Sequence, residues 1–106
     1  MKCSRSEVIS RLIKKAAKSP CRFRIAAIGM DMRGVVIGSA TNLPYLPKAK
    51  GGVHAEELLI SRSPRSLKTI IIARVGVSGI LRPISPCSKC SDMAQKYGIK
   101  IVSILE

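Results

Sequence analysis

His54-Ala55-Glu56, answered later in the chain by Pro86-Cys87-Ser88-Lys89-Cys90, decides the reading of this sequence. The two stretches together supply one imidazole, two thiols and one carboxylate. A structural zinc is normally closed by four protein ligands, whereas a catalytic zinc keeps three and leaves the fourth position to water. His54, Cys87 and Cys90 make three. Glu56, two residues from His54, is badly placed to fold back as a fourth ligand and well placed to exchange a proton with a water on the metal. Zinc lowers the pKa of such a water towards neutrality, and a carboxylate in hydrogen-bond reach then does general acid/base work. The inventory is that of a hydrolytic zinc site. The alternative is a structural zinc, for which only Cys3 and Cys21 remain as a fourth ligand.

Working outward, Ser85-Pro86 ahead of Cys87 predicts a helix start with Ser85 as N-cap and Pro86 in the first turn. Cys87 and Cys90 then share one helical face, at the end where the macrodipole favours thiolate. Gly51-Gly52 ahead of His54, followed by Ala55, Leu58 and Leu59 with polar Glu57 and Ser61 between, predicts a second helix opening at His54. Two helix N-termini are therefore expected to converge on the metal.

The remaining elements follow from periodicity. Ser4 to Lys18 is expected to be helical, with Ser4 and Glu7 as a capping box and Val8, Ile9, Leu12, Ile13, Ala16 and Ala17 at helical spacing. Ser19-Pro20 ends it. Arg22 to Met30 and Gly34 to Ala40 read as strands joined by a turn at Asp31 to Gly34. Leu67 to Val75 reads as a buried strand, the Cys87 helix is expected to run to Tyr97 with Gly98 as its cap, and Ile99 to Leu105 reads as a last strand. Helix, strand, strand, helix, strand, helix, strand implies an α/β fold, a sheet of about four strands with helices on both faces.

The H-A-E and P-C-x-x-C pattern of His54 to Glu56 and Pro86 to Cys90 resembles the zinc-dependent cytidine and deoxycytidylate deaminase superfamily, over about Arg22 to Leu105. The resemblance implies a three-layer deaminase-like sheet and Zn2+ as cofactor, with His54, Cys87 and Cys90 as ligands and Glu56 as acid/base. It also implies attack by zinc hydroxide on the carbon bearing the exocyclic amine, so that cytosine becomes uracil. By the same resemblance the amide of Ala55 contacts the base and the carbonyls of Ser85 and Pro86 receive the amine. Asn42 falls near an asparagine that binds the sugar in many relatives; its other reading is an ordinary turn asparagine. Relatives usually continue with another helix and strand, so this chain resembles a minimal form, and an exposed last strand makes homo-oligomerisation an expectation.

Composition sets the outer bounds. With 106 residues, 46% hydrophobic, residues 1–106 are expected to form one domain around one core. No stretch approaches the roughly 20 apolar residues needed to span a bilayer, and the polar start is unlike a signal peptide, so the expectation is a cytoplasmic protein with no membrane partner. Cys3 and Cys21 then read as reduced thiols, with Cys21 in the first strand.

Charge is the second strong feature: 19 Lys and Arg against 6 Asp and Glu, net +13. Such a balance favours polyanions. Eight cations lie between Lys2 and Arg24, and Lys48 and Lys50 precede His54, where they are candidates to hold a nucleotide phosphate or a passing strand. The alternative is a solvated basic surface without a ligand. Single-strand binders stack bases on aromatics, and Phe23, Tyr45 and Tyr97 are the whole aromatic set; Tyr45, near Asn42, is the candidate stacking platform.

Three functions of different class therefore remain. The first is hydrolytic deamination of cytidine or deoxycytidine nucleosides or nucleotides. The second is deamination of cytosine, less readily adenine, in single-stranded DNA or RNA. The third is a zinc-stabilised basic nucleic-acid-binding protein without turnover.

Overall fold

A computed structural model describes residues 5–19, 24–42, 54–63, 65–76 and 78–105. Helix α1, Arg5–Ala17, is followed by strands β1, Arg24–Met30, and β2, Val36–Thr41. Helix α2, Ala55–Arg62, leads to β3, Thr69–Val75, and a short β4, Leu81–Arg82; helix α3, Ser88–Lys96, leads to β5, Lys100–Ser103. The expected order of elements is present, with β4 added.

The sheet is mixed. β1 lies antiparallel between β2 and β3, β3 pairs antiparallel with β4 and parallel with β5, and the order is β2-β1-β3-β4 with β5 also on β3. β4 takes Arg74 and Val75 of β3 while β5 takes Thr69 to Ile72, so the two lie end to end along one edge. Ile84 N donating to Leu105 O at 2.9 Å ties them together. The last strand thus shares its edge with β4.

Strand alternation sorts the core into two layers. Ala26 and Ile28 of β1 and Ala73 and Val75 of β3 pack with Val8, Leu12 and Ala16 of α1. These α1 residues recur every fourth position, which puts them on one helical stripe; Leu12 and Ala16 have no exposed surface. On the opposite face Ala27, Ile70 and Ile72 pack with Ala55, Leu59 and Ile60 of α2 and Ala94 of α3. Helices therefore cover both faces of the sheet. Gly29 allows α2 to sit close: a Cβ there would collide with the side chain of Leu67 and touch Leu59 Cδ1 at 3.6 Å.

Turns match their residues. Asp31 Oδ1 accepts from the amides of Arg33 (2.9 Å) and Val35 (3.0 Å), closing the β1–β2 turn as an Asx turn does. Gly98, at φ 69°, ends α3 in a Schellman motif, with Ile99 N donating to Ala94 O (2.8 Å) and Gly98 N to Gln95 O (3.1 Å). The proposed cap Ser4, and Cys3, Cys21 and Phe23, lie outside the described residues.

Candidate metal centre

α2 and α3 both begin at a residue that could ligate a metal. His54 is the N-cap of α2, in extended backbone (φ −78°, ψ 148°), and Cys87 is the N-cap of α3 (φ −71°, ψ 161°). The latter corrects the expectation that Ser85 caps this helix: the Cys87 sulfur itself accepts from Cys90 N at 3.4 Å, the bond that an N-cap oxygen would otherwise make. Ser85 is exposed and Pro86 half-buried, both in the irregular segment before the helix.

His54 Nδ1 lies 3.2 Å from Cys90 Sγ and 3.3 Å from Cys87 Sγ. The ligand atoms of all three residues fall within 4.8 Å of one another. Tetrahedral zinc with bonds of about 2.0 Å to nitrogen and 2.3 Å to sulfur separates such donors by about 3.6 Å, so the imidazole nitrogen and each sulfur need part by only tenths of an ångström. Two thiols and an imidazole are a soft donor set that suits zinc and not magnesium or calcium. No other group of three or more such side chains is gathered among the described residues.

The surroundings are polarised. Cys90 is fully buried, and burial, followed by the negative field of Glu56, pushes its thiol far above the ordinary range. In the metal-free pocket it keeps its proton, which a metal must displace. Glu56 is 4% exposed in the first turn of α2. Because His54 turns its Nδ1 towards the sulfurs, its side chain makes no cap hydrogen bond to α2. The first-turn amides of α2 therefore keep their positive end directed at the site.

Glu57 is a residue that sequence reasoning left on the polar face. Its Oε1 lies 3.9 Å from His54 Nδ1, and its Oε2 lies 3.5 Å from Lys89 Nζ, between the two cysteines. The pair links the start of α2 to the start of α3, and the one sequence sign of it is a lysine placed inside the C-x-x-C.

The structure brings His54, Glu56, Cys87 and Cys90 together, with Ala55 buried between two of them. Asn42, at the end of β2, is engaged elsewhere: its Oδ1 accepts from Ser19 Oγ at 2.7 Å and from Ile25 N at 3.1 Å. It ties the end of α1 to the start of β1. Tyr45, Lys48 and Lys50 lie outside the described residues.

Comparison with solved structures finds the same fold in cytidine deaminases. That of Burkholderia pseudomallei superposes with a TM-score of 0.71 at 15% identity, over 96% of this chain and 87% of that one. That of Mycobacterium leprae gives 0.68 at 17% identity, over 95% and 89%; that of Mycobacterium tuberculosis gives 0.61 at 17%, over 95% and 85%. A search of curated protein sequences returns no match. The model of the cytidine and deoxycytidylate deaminase zinc-binding region matches residues 3–106, and the chain belongs to that family of zinc-dependent deaminases.

Proposed function

We propose that this chain, as one domain, hydrolytically deaminates cytosine to uracil in a cytidine or deoxycytidine nucleoside or nucleotide. The observation that carries the reading is a buried carboxylate, Glu56, beside a three-donor metal site formed by two helix starts. Zinc, when bound, supplies a water acidified towards neutral pH. Glu56 accepts a proton from the attacking water and delivers protons to the ring nitrogen and to the departing amine, which balances cytosine and water against uracil and ammonia. Ala55 offers its amide at the positive end of α2, and the carbonyls of Ser85 and Pro86 offer acceptors for the amine. Asn42 as a sugar contact, Tyr45 as a stacking platform and Lys48 and Lys50 as phosphate ligands belong to the same proposal, with the Asn42 Oδ1 held by Ser19 and Ile25. We expect a cytoplasmic homo-oligomer; no described helix is long and apolar enough to cross a membrane.

The net charge of +13 favours a second reading, cytosine deamination within single-stranded DNA or RNA. The test is ammonia release, with and without a zinc chelator, from cytidine, deoxycytidine, their monophosphates and a mixed-sequence single-stranded oligonucleotide. Chelator-sensitive release from the small molecules supports the first reading, and release from the oligonucleotide alone replaces it with the second. No release from any of them leaves a zinc-stabilised binding protein.

A further inference from the structure

α1 carries a second constellation that the zinc chemistry does not use. Arg11, Lys14, Lys15 and Lys18 recur at i, i+3, i+4 and i+7, the spacing of one helical stripe. They line one side of an open cavity of about 240 Å³ between α1 and the sheet. Ile28 of β1 and Val36 and Ser39 of β2 form the other side. Ser39 pairs with Ile28 across the two strands, which puts both on the α1 face of the sheet. The zinc ligands sit at the starts of α2 and α3, which cover the opposite face.

None of the described residues that line this groove is acidic. Among the described residues none of the four cations has a carboxylate partner. Of the six acidic residues of the chain, Glu7 lies on α1 four residues before Arg11 but not among the residues that line the groove, Glu56, Glu57 and Asp92 lie on α2 and α3, Asp31 holds the β1–β2 turn, and Glu106 is outside the described residues. Four like charges on two turns of helix repel one another, so their grouping favours a ligand that neutralises several at once. Seven residues at 1.5 Å each spread them over about 10 Å, which suits a row of phosphates more than a single anion.

We propose that the groove between α1 and β2 docks the phosphodiester backbone of a nucleic acid, separately from the active site and irrespective of base sequence. None of the described lining residues is aromatic, so the contact is to phosphates and not to stacked bases. A membrane surface fits less well. A helix lying on lipid buries its apolar face in it, and here Val8, Leu12 and Ala16 are already packed against the sheet. Because the groove and the zinc site lie on opposite faces, a bound strand holds the enzyme while leaving the pocket open. The inference goes beyond the proposed reaction and does not require a polymeric substrate.

The test is the affinity of the zinc-loaded protein for a fluorescent 20-nucleotide oligo-dT, which contains no amine to remove, measured by anisotropy from low to moderate salt. Four phosphate contacts at about −0.7 each give a slope of log K against log salt of about −2.8. The variant R11Q/K14Q/K15Q/K18Q is expected to lose that slope and about two to three orders of magnitude of affinity at 0.1 M salt. Its zinc content, thermal midpoint and deamination of cytidine are expected to stay at parental values; the first two report the fold even if cytidine is not the substrate. The control R65Q/K68Q/K96Q/K100Q removes equal exposed charge elsewhere. An equal loss in the control, parental binding by the groove variant, or groove-dependent binding to phosphatidylserine vesicles without binding to oligo-dT overturns the proposal.

Discussion

Replacing Glu56 by Gln isolates proton transfer from every other contribution of the site. The side chain is 4% exposed in the first turn of α2, flanked by Ala55, Leu59 and Ile60 in the packed face of that helix. Glutamine keeps its length and volume, so the packing of α2 on β1 and β3 is retained. Lost is the group that, in the proposed reaction, takes a proton from water and returns it to the base. Positioned acid/base groups contribute about 10²- to 10⁴-fold. At about 1.4 kcal/mol per decade this raises the barrier by roughly 3 to 5.5 kcal/mol. The upper half of that range is expected, because one carboxylate serves successive transfers in both directions.

Metal binding separates this from a structural role. The negative field of Glu56 helps keep the proton on Cys90, so the neutral amide makes that thiol easier to ionise and leaves zinc bound at the parental ratio. Steady-state ammonia release gives kcat/KM, and elemental analysis of the same sample gives zinc per chain. The expected pattern is a kcat lower by a factor of 10³ or more with KM and zinc near parental values. A variant within tenfold of the parent refutes the proton-shuttle assignment. Loss of zinc together with activity shows that Glu56 supports the metal and not the reaction.

The other expectations concern metal and packing. Since Cys90 keeps its proton well above the ordinary thiol range, zinc must expel it; apparent affinity, measured by competition with a chromogenic chelator, rises about tenfold per pH unit between pH 6 and 8 for that one proton. An affinity flat across this range refutes thiolate ligation by Cys90. Removing zinc abolishes deamination and frees the starts of α2 and α3 from each other, so hydrogen exchange accelerates there first while β1 and β3 stay protected. Gly29→Ala forces a methyl into Leu67 and against Leu59; overpacking of this kind costs about 1–3 kcal/mol, read as a lower thermal midpoint with little change in kcat. Lys89→Gln removes the partner of Glu57, but Lys89 is 69% exposed, so less than about 1 kcal/mol of stability is lost. A drop in zinc content with that variant would make the ion pair a ligand-positioning device.

What was legible in the sequence depended on the range of the interaction. The helices α1, α2 and α3 and the strands β1, β2, β3 and β5 each announce themselves within their own length, through 3.6-residue spacing, alternation or, for β3, the unbroken run Ile70-Ile71-Ile72. The three zinc donors were legible because the thiols are locked by a three-residue interval and the imidazole by the Glu beside it. β4 was not: two residues before Pro83 carry no period, and Leu81 and Arg82 become a strand only because β3 extends past β5 and offers them Val75 and Arg74 as partners. The cap of α3 was misplaced because sulfur is a weak acceptor in general, and only the chain path shows Cys87 taking the place of Ser85. Glu57 and Lys89 lie 32 positions apart, and Ser19 and Asn42 lie 23 apart; pairs joined only by the fold leave no local pattern.

The same distinction explains how so short a chain builds a catalytic centre. Each half of the metal site is encoded locally, as a residue that both caps a helix and turns a donor atom outward: His54 for α2, Cys87 with Cys90 for α3. The sheet does the remaining work. β3 follows α2, β5 follows α3, and the parallel pairing of β3 with β5 from Thr69 to Ile72 sets the two helices side by side on one face. A slip of one residue in that register would exchange the inward and outward side chains of β5 and drive Ile101 out of the layer shared with Ile70 and Ile72. The distances of 3.2 and 3.3 Å from His54 Nδ1 to the two sulfurs thus depend on a β-ladder that contributes no atom to the site. Zinc held by these donors would in turn hold the two helix starts together, so metal affinity and sheet register would be two readings of one coupled equilibrium.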